Sequence, residues 1–233
     1  MRKRPLRRQF IGDAMNDFYS HYSNWGLVLV MIVGASWLLY RYAAPKSWRE
    51  WSGAGLVQAF IIALYAEMYG FPLTIYLLTG FLGIDLPLTA HSGHLWATLL
   101  GYGQTGAMIE MLLGYSFVFL GISVLAQGWR EIHQASQEGR LASDGLHGVV
   151  RHPQYAGILL AVFGQLIHWP TILTLALFPV IVWVYVRLAR REEAAMVNKF
   201  GDEYRSYQER VPTFFPHRGE WHKLYDGTDS ERL

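Results

Sequence analysis

Hydrophobic and polar positions are segregated along this chain in long blocks. No charged residue lies between Asp17 and Arg41, and Trp25 through Tyr40 reads WGLVLVMIVGASWLLY. A second apolar run extends from about Gly53 to Gly83, interrupted only by Glu67, and a third lies between Glu110 and Arg130. The longest uncharged stretch separates Arg151 from Arg187 and is long enough for two shorter helices turning near His168 to Thr171. A bilayer span needs about 20 largely apolar residues, roughly 30 Å of helix. The pattern therefore predicts spans over 25–42, 54–82, 105–128, 155–169 and 171–189. That is an all-α, polytopic membrane protein with about five transmembrane helices, the last two forming a C-terminal helical hairpin. Residues 84–104 carry only Asp85 as a charge and fit a loop, a re-entrant piece or an additional short span. A soluble bundle of this size hides one helix that is apolar all round, but hardly four or five. Trp25, Trp37, Trp129 and Trp169 stand where helix ends meet an interface.

Composition supports this picture. The 233 residues are 52% hydrophobic and 16% charged, against roughly 25% charged in a soluble domain, which excludes disorder over most of the length. One unit is expected over 1–233, preceded by a basic N-terminal arm within 1–24. With no cysteine, disulfides, thiolate metal sites and cysteine nucleophiles are excluded. A net charge of +2 gives no reason to expect nucleic acid as a partner. Arg2, Lys3, Arg4, Arg7 and Arg8 argue for a cytoplasmic start, whereas five alternating spans place the termini on opposite sides. A cytoplasmic C-terminal tail is favoured and the side of the N-terminus stays open.

Two polar patches carry candidate chemistry. The connection over 128–157 concentrates His133, Gln134, Asp144, His147, Arg151, His152 and Tyr155 just before an apolar run. Pro153 suits the first turn of the following helix. A plain interfacial loop with Arg151 snorkelling to headgroups is the bland account; the density of imidazole, aromatic and small residues favours a ligand site. The second patch begins at Arg187, Arg190 and Arg191, continues with Glu192 and Glu193, and carries Phe200, Tyr204 and Tyr207 at helical spacing up to Pro212. Glu67, inside an apolar run, is a functional candidate on burial grounds, with either a substrate-cavity or a structural hydrogen-bonding role. Glu110 is a weaker case, nearer a span end. Nine histidines show no ligand spacing that specifies a metal, and none is expected. Phosphate-loop glycines and a nucleophile elbow are also absent.

Taken together, DGLHGVVRHPQYAG and the later REEAAMVNKFGDEYRSYQERVPTFFP resemble the two signature motifs of the isoprenylcysteine carboxyl methyltransferase and phospholipid methyltransferase superfamily, in its bacterial-type form. The resemblance covers roughly 105–216. It implies an integral membrane methyltransferase that uses S-adenosyl-L-methionine, with a cytosolic tail folding against the loop to close the cofactor pocket. His152, Pro153, Gln154 and Tyr155 would line the adenosyl pocket, with His147, His133 or Gln134, and the turn Arg140, Leu141 and Ala142 completing it. Glu192 would contact the cofactor, Glu193 being its nearest substitute. Arg187 or Arg190 would orient an acidic substrate group, and Glu67 joins them as a candidate at the reacting centre. Gly145 and Gly157 would be backbone-spacing positions. His147 departs from the usual tyrosine, which points to a different substrate or a shifted pocket. The implied acceptor is lipid-like or small and apolar, with carboxyl O-methylation of an isoprenylcysteine ahead of phospholipid amine N-methylation and small-thiol S-methylation. A non-catalytic membrane binding or transport protein on the same scaffold is the alternative class. The implied location is the bacterial inner membrane.

Overall fold

The computed structural model describes residues 16–42, 48–86 and 92–216. Arg2, Lys3, Arg4, Arg7 and Arg8 of the basic arm, together with His91, lie outside the described residues. The described segments are helical throughout, with no strand among them. Residues 16–22 form a helical lead into α1 (Trp25–Tyr42). Then follow α2 (Trp48–Tyr65), a π-helical turn (Ala66–Gly70), α3 (Leu73–Gly80), α4 (Leu95–Leu99) and α5 (Gly103–Glu138). A 3-10 turn (Gly145–Gly148), α6 (Pro153–His168), α7 (Ile172–Phe200) and α8 (Asp202–Arg210) complete the described elements.

Among the described residues, four helical stretches are long and apolar enough to cross a membrane: Asn16–Tyr42, Glu50–Gly70, Gly103–Glu138 and Ile172–Phe200. This departs from the expected five in two places. The run predicted as one span over 54–82 breaks at the π turn, because Pro72 has no amide to continue the ladder. The Glu67 carboxylate then takes the Thr74 amide at 2.7 Å and caps the restarted helix α3. The predicted span 155–169 forms α6, whose 16 residues reach only about 24 Å. Residues 95–99 of the ambiguous 84–104 segment form the short α4, whose Ala97 amide is held by the Glu110 carboxylate. Both acids inside the apolar runs thus hold a helix start.

Glycines fix the pairing of α5 with α6. A Cβ added at Gly121 would stand 2.5 Å from the Gly157 carbonyl oxygen, and one at Gly157 would stand 2.6 Å from that of Gly121. Gly114 and Gly164 repeat the relation at 2.7 and 2.6 Å, and Gly128 meets Pro153 at 2.9 Å. Positions 114, 121 and 128 recur every seven residues, so one small-residue seam faces the partner along the helix. Without a hydrophobic driving force between helices in lipid, this backbone contact is what packing rests on. Gly139, at φ 70°, ends α5 in the left-handed region that favours glycine.

The main core joins α1, α2, α5, α6 and α7, with Phe60, Leu64, Met68 and Ile181 the most enclosed. Thr171 and Thr174 form a reciprocal cap that starts α7. Leu29, Val33, Trp37, Leu112, Phe119 and Trp183 stay exposed, the outward faces an apolar solvent would cover. A second, smaller core of Leu141, Tyr204, Tyr207 and Val211 docks α8 against the segment that precedes α6.

Candidate functional site

The polar segment before α6 and the segment after α8 run side by side. The Arg151 amide donates to the Pro212 carbonyl at 2.8 Å and the His152 amide to that of Thr213 at 3.1 Å. The Arg151 guanidinium ties the same two segments to α7. Its Nε donates to Glu193 at 2.8 Å, Nη1 to the carbonyls of Gln208 at 2.9 Å and Val211 at 2.5 Å, and Nη2 to the Thr213 hydroxyl at 2.7 Å. Snorkelling to headgroups is therefore not its role.

His152 is buried between two acids, with Nδ1 3.5 Å from Glu192 and Nε2 3.3 Å from Glu193. Its ring lies parallel to Tyr155, centroids 5.6 Å apart, and Phe214 adds a third ring at 6.0 Å. One turn into α6, the Tyr155 hydroxyl donates to Glu192. Tyr155 and Glu192 edge a cavity of about 310 Å³ whose wall also includes Glu50, Gln154, Tyr185 and Met196, with His152 and Glu193 packed behind it. Glu50 arrives from α2, within electrostatic reach of Glu192 and Tyr155. Tyr42, Leu125 and Ile158 belong both to this wall and to that of an apolar cavity of about 150 Å³, which runs on to Tyr65 and Gln165. A chamber with two carboxylates on its wall thus borders a wholly uncharged one.

The turn ahead of the site is clamped from both sides. Glu131 on α5 accepts the Leu146 amide at 3.1 Å, the His147 amide at 3.3 Å and His147 Nδ1 at 2.8 Å. From the other side the Tyr207 hydroxyl donates to the His147 carbonyl at 2.6 Å. Gly145 has φ 57°, and a Cβ there would run into the Glu131 carboxylate, so the turn admits little but glycine. Burial pushes the Tyr204 hydroxyl up to about 12 and raises that of Tyr207 as well. Both stay neutral around pH 7, which keeps Tyr207 a donor.

Of the residues singled out in the sequence, His152, Tyr155, Glu192 and Glu193 come together here. Pro153 opens α6 against Gly128, and Gln154 lines the cavity while donating to the Gly128 carbonyl at 3.3 Å. His147 is buried one turn away in the Glu131 clamp, and Leu141 packs on the tail tyrosines. The others lie elsewhere. His133 and Gln134 are exposed on α5 and bond along it to Gln137 and Glu138. Arg140 is exposed and pairs with Glu138 and Asp144, while Ala142 is half-buried beside it. Arg187 and Arg190 are exposed, and neither belongs to the cavity wall. Arg187 instead sits over the Trp183 ring at 5.3 Å. At 100° per residue both arginines fall on the side of α7 away from Glu192. Glu67 is not in the cavity wall either; it holds α3 at the far end of the bundle. Glu50, Glu131 and Tyr185 are the site residues that sequence reading passed over, and none of them had a signal in the motifs. Arg151 was singled out with the polar patch, but its bonds to the tail were not legible there.

Residues 102–203 match the family model described as phospholipid methyltransferase. The chain is 29% identical over 119 residues to the protein-S-isoprenylcysteine O-methyltransferase of Schizosaccharomyces pombe, covering 48% of this chain and 49% of that protein. It is 29% identical over 125 residues to a methanethiol S-methyltransferase of a Pseudomonas species, covering 52% and 44%. It is 30% identical over 78 residues to protein-S-isoprenylcysteine O-methyltransferase B of Arabidopsis thaliana, covering 33% and 40%. The chain spans about half the length, or less, of these curated relatives. No solved structure matches it. Over residues 102–203 the chain is thus similar to phospholipid methyltransferases, and over overlapping stretches to isoprenylcysteine and methanethiol methyltransferases.

Proposed function

We propose that this protein is an integral membrane methyltransferase that uses S-adenosyl-L-methionine and acts on a lipophilic acceptor. The observation that carries the reading is a cavity that sets the carboxylates of Glu50 and Glu192 and the Tyr155 hydroxyl in a largely apolar wall and borders a second, apolar cavity through Tyr42, Leu125 and Ile158. The lining fits such a cofactor. Glu192 and Glu50 offer carboxylates to its positive groups, and the rings of Trp129, Tyr155 and Tyr185 on the wall offer flat faces to an adenine. When bound, that cofactor supplies a methyl group on a sulfonium, so the reaction needs no nucleophile from the protein.

The residues of this chain then bind, orient and exclude water. Arg151 and the Glu131 clamp hold the loop and tail together, so that the tail closes the cofactor pocket. Tyr155 fixes the Glu192 carboxylate through its hydroxyl. The apolar cavity receives the acceptor's hydrocarbon part and leaves its reacting atom at the Tyr155 level. Alignment of donor and acceptor is the main source of rate in such a site, and a dry wall strengthens each charge interaction within it.

The described wall of the chamber carries two carboxylates and neither Arg187 nor Arg190. That charge suits an acceptor reacting as a neutral thiol or amine better than one reacting as a carboxylate. Carboxyl O-methylation of an isoprenylcysteine is the second reading, favoured by the names of the relatives. A cytoplasmic tail in a bacterial inner membrane accords with the basic start and the charged tail.

Calorimetric titration of the detergent-purified chain tests the cofactor assignment. S-adenosylmethionine and S-adenosylhomocysteine are expected to bind saturably, and NADPH not at all. Glu192→Gln is expected to weaken both adenosyl ligands at least tenfold, whereas Arg187→Ala and Arg190→Ala stay within twofold of the parent. No adenosyl-ligand binding by folded protein would bring the transport and scaffold readings forward. Labelled-methyl transfer to a prenylated cysteine acid, a lipid amine and a hydrophobic thiol then ranks the acceptors.

A further inference from the structure

The apolar cavity beyond the chamber is not lined by hydrocarbon alone. Among the described residues, its wall of α1, α2, α5 and α6 side chains carries no charge and a single amide, that of Gln165. Tyr155, Ile158, Val162 and Gln165 follow at three- and four-residue steps and so share one face of α6. That face starts in the chamber at Tyr155 and reaches Gln165 after about 15 Å of helix. α2 makes the same passage, from Glu50 and Ala54 in the chamber wall to Tyr65 in the apolar wall. The far end therefore has an amide and a phenol, while Phe60, Ile61, Val118 and Ile122 line the space with hydrocarbon.

Gln165 has no local reason to be polar. Its backbone carbonyl takes the Trp169 amide at 2.8 Å, as a helix requires, and its side-chain Oε1 is buried with no hydrogen-bond partner. Buried side-chain oxygens are nearly always satisfied, and an unpaired amide in an apolar wall destabilises the empty state. Leucine or methionine would fill the same position without that cost. The last torsion of a glutamine is broad, so the amide can turn Oε1 into the cavity. What satisfies it there must arrive through the cavity and present an O–H or N–H donor.

We propose that the methyl acceptor is polar at both ends, with its reacting atom near Tyr155 and a hydroxyl or amide at its far end that Gln165 receives. This rests on the reading of the apolar cavity as the place of the acceptor's hydrocarbon part. Gln165 then determines specificity, and Tyr65 supplies a second hydroxyl at the same depth. An acceptor ending in a methyl group leaves the amide unpaired. A site that hydrogen-bonds a substrate group rejects the analogue lacking it more sharply than a hydrocarbon pocket rejects a change of one methylene.

The probes are octanethiol and its hydroxyl-ended counterpart, mercaptooctanol, titrated calorimetrically into the full-length, detergent-purified protein with and without S-adenosylhomocysteine. Each compound is compared between parent and variant, so that its partition into detergent cancels. Gln165→Met keeps the length of the side chain and removes the amide, and Gln165→Leu serves if that variant folds poorly. Mercaptooctanol is expected to bind the variant at least tenfold more weakly than the parent, while octanethiol binds at least as tightly as before. Equal losses for both compounds, no loss for either, or no binding of mercaptooctanol by the parent would overturn the proposal; the amide would then serve packing or hold water. The two readings fail separately. A protein that keeps the preference but does not bind S-adenosylhomocysteine would sink the methyltransferase reading and leave this site standing. Saturable adenosyl binding with no dependence of mercaptooctanol on position 165 would do the reverse.

Discussion

Arg151 uses four of its five guanidinium donors on partners drawn from α7, α8 and the segment beyond. Lysine carries the same charge but not the planar fork, so it reaches one or two of these partners at most. Arg151→Lys is therefore expected to fold but to lower adenosyl-ligand affinity at least tenfold, measured by calorimetry. Arg151→Ala leaves Glu193, whose side chain is 13% exposed, without its guanidinium. It is expected to destabilise the protein by about 3–5 kcal/mol, read from denaturant unfolding. A similar logic separates the acids. Glu192 and Glu193 are neighbours in sequence, yet one receives the Tyr155 hydroxyl at the cavity and the other is taken by Arg151. Sequence alone presented them as substitutes for one another. Arg187 and Arg190 show the reverse failure: their spacing puts both on one face of a helix, but says nothing about which way that face looks. Glu50 left no trace at all, because its place in the chamber depends on how α2 packs on α7, more than a hundred residues downstream.

Among the elements, the α5–α6 pair is the most exactingly built. Contact between backbones leaves no room for side chains at Gly114, Gly121, Gly157 and Gly164. Gly121→Val should push the helices apart and cost about 1–3 kcal/mol or more, seen as a lowered melting temperature. Gly55→Ala, where an added Cβ meets nothing within 4 Å, serves as a near-neutral control. The partnership of this glycine seam was not legible in the sequence, since Gly157 and Gly164 lie across a polar loop from Gly114 and Gly121. Where the apolar runs broke was also hard to read. Pro72 announced a disruption, but the rescue of the next helix by Glu67 is a contact seven residues long in sequence and invisible to hydropathy. The loop and tail motifs, by contrast, were visible because their polar residues are contiguous and cannot be accounted for by lipid contact.

For the molecule as a whole, two cavities with one shared wall organise the function. Ile158 stands on that wall, belonging to both the chamber at Glu192 and the apolar space beyond it. Ile158→Trp is expected to fill the passage. Turnover of a long-chain acceptor should fall at least tenfold while adenosyl-ligand binding changes less than threefold, a split checked by pairing a labelled-methyl assay with calorimetry. Equal losses in both would show that the two spaces do not act in series. The length of α6 adds a further consequence. A 16-residue helix is several ångströms short of the hydrocarbon thickness of about 30 Å. Lipids packed beside α6 are expected to thin to match it, which would set His152, the residue that opens it, below the plane of the surrounding headgroups. An acceptor of the proposed kind would then meet a dimple in the leaflet and react without climbing out of the bilayer.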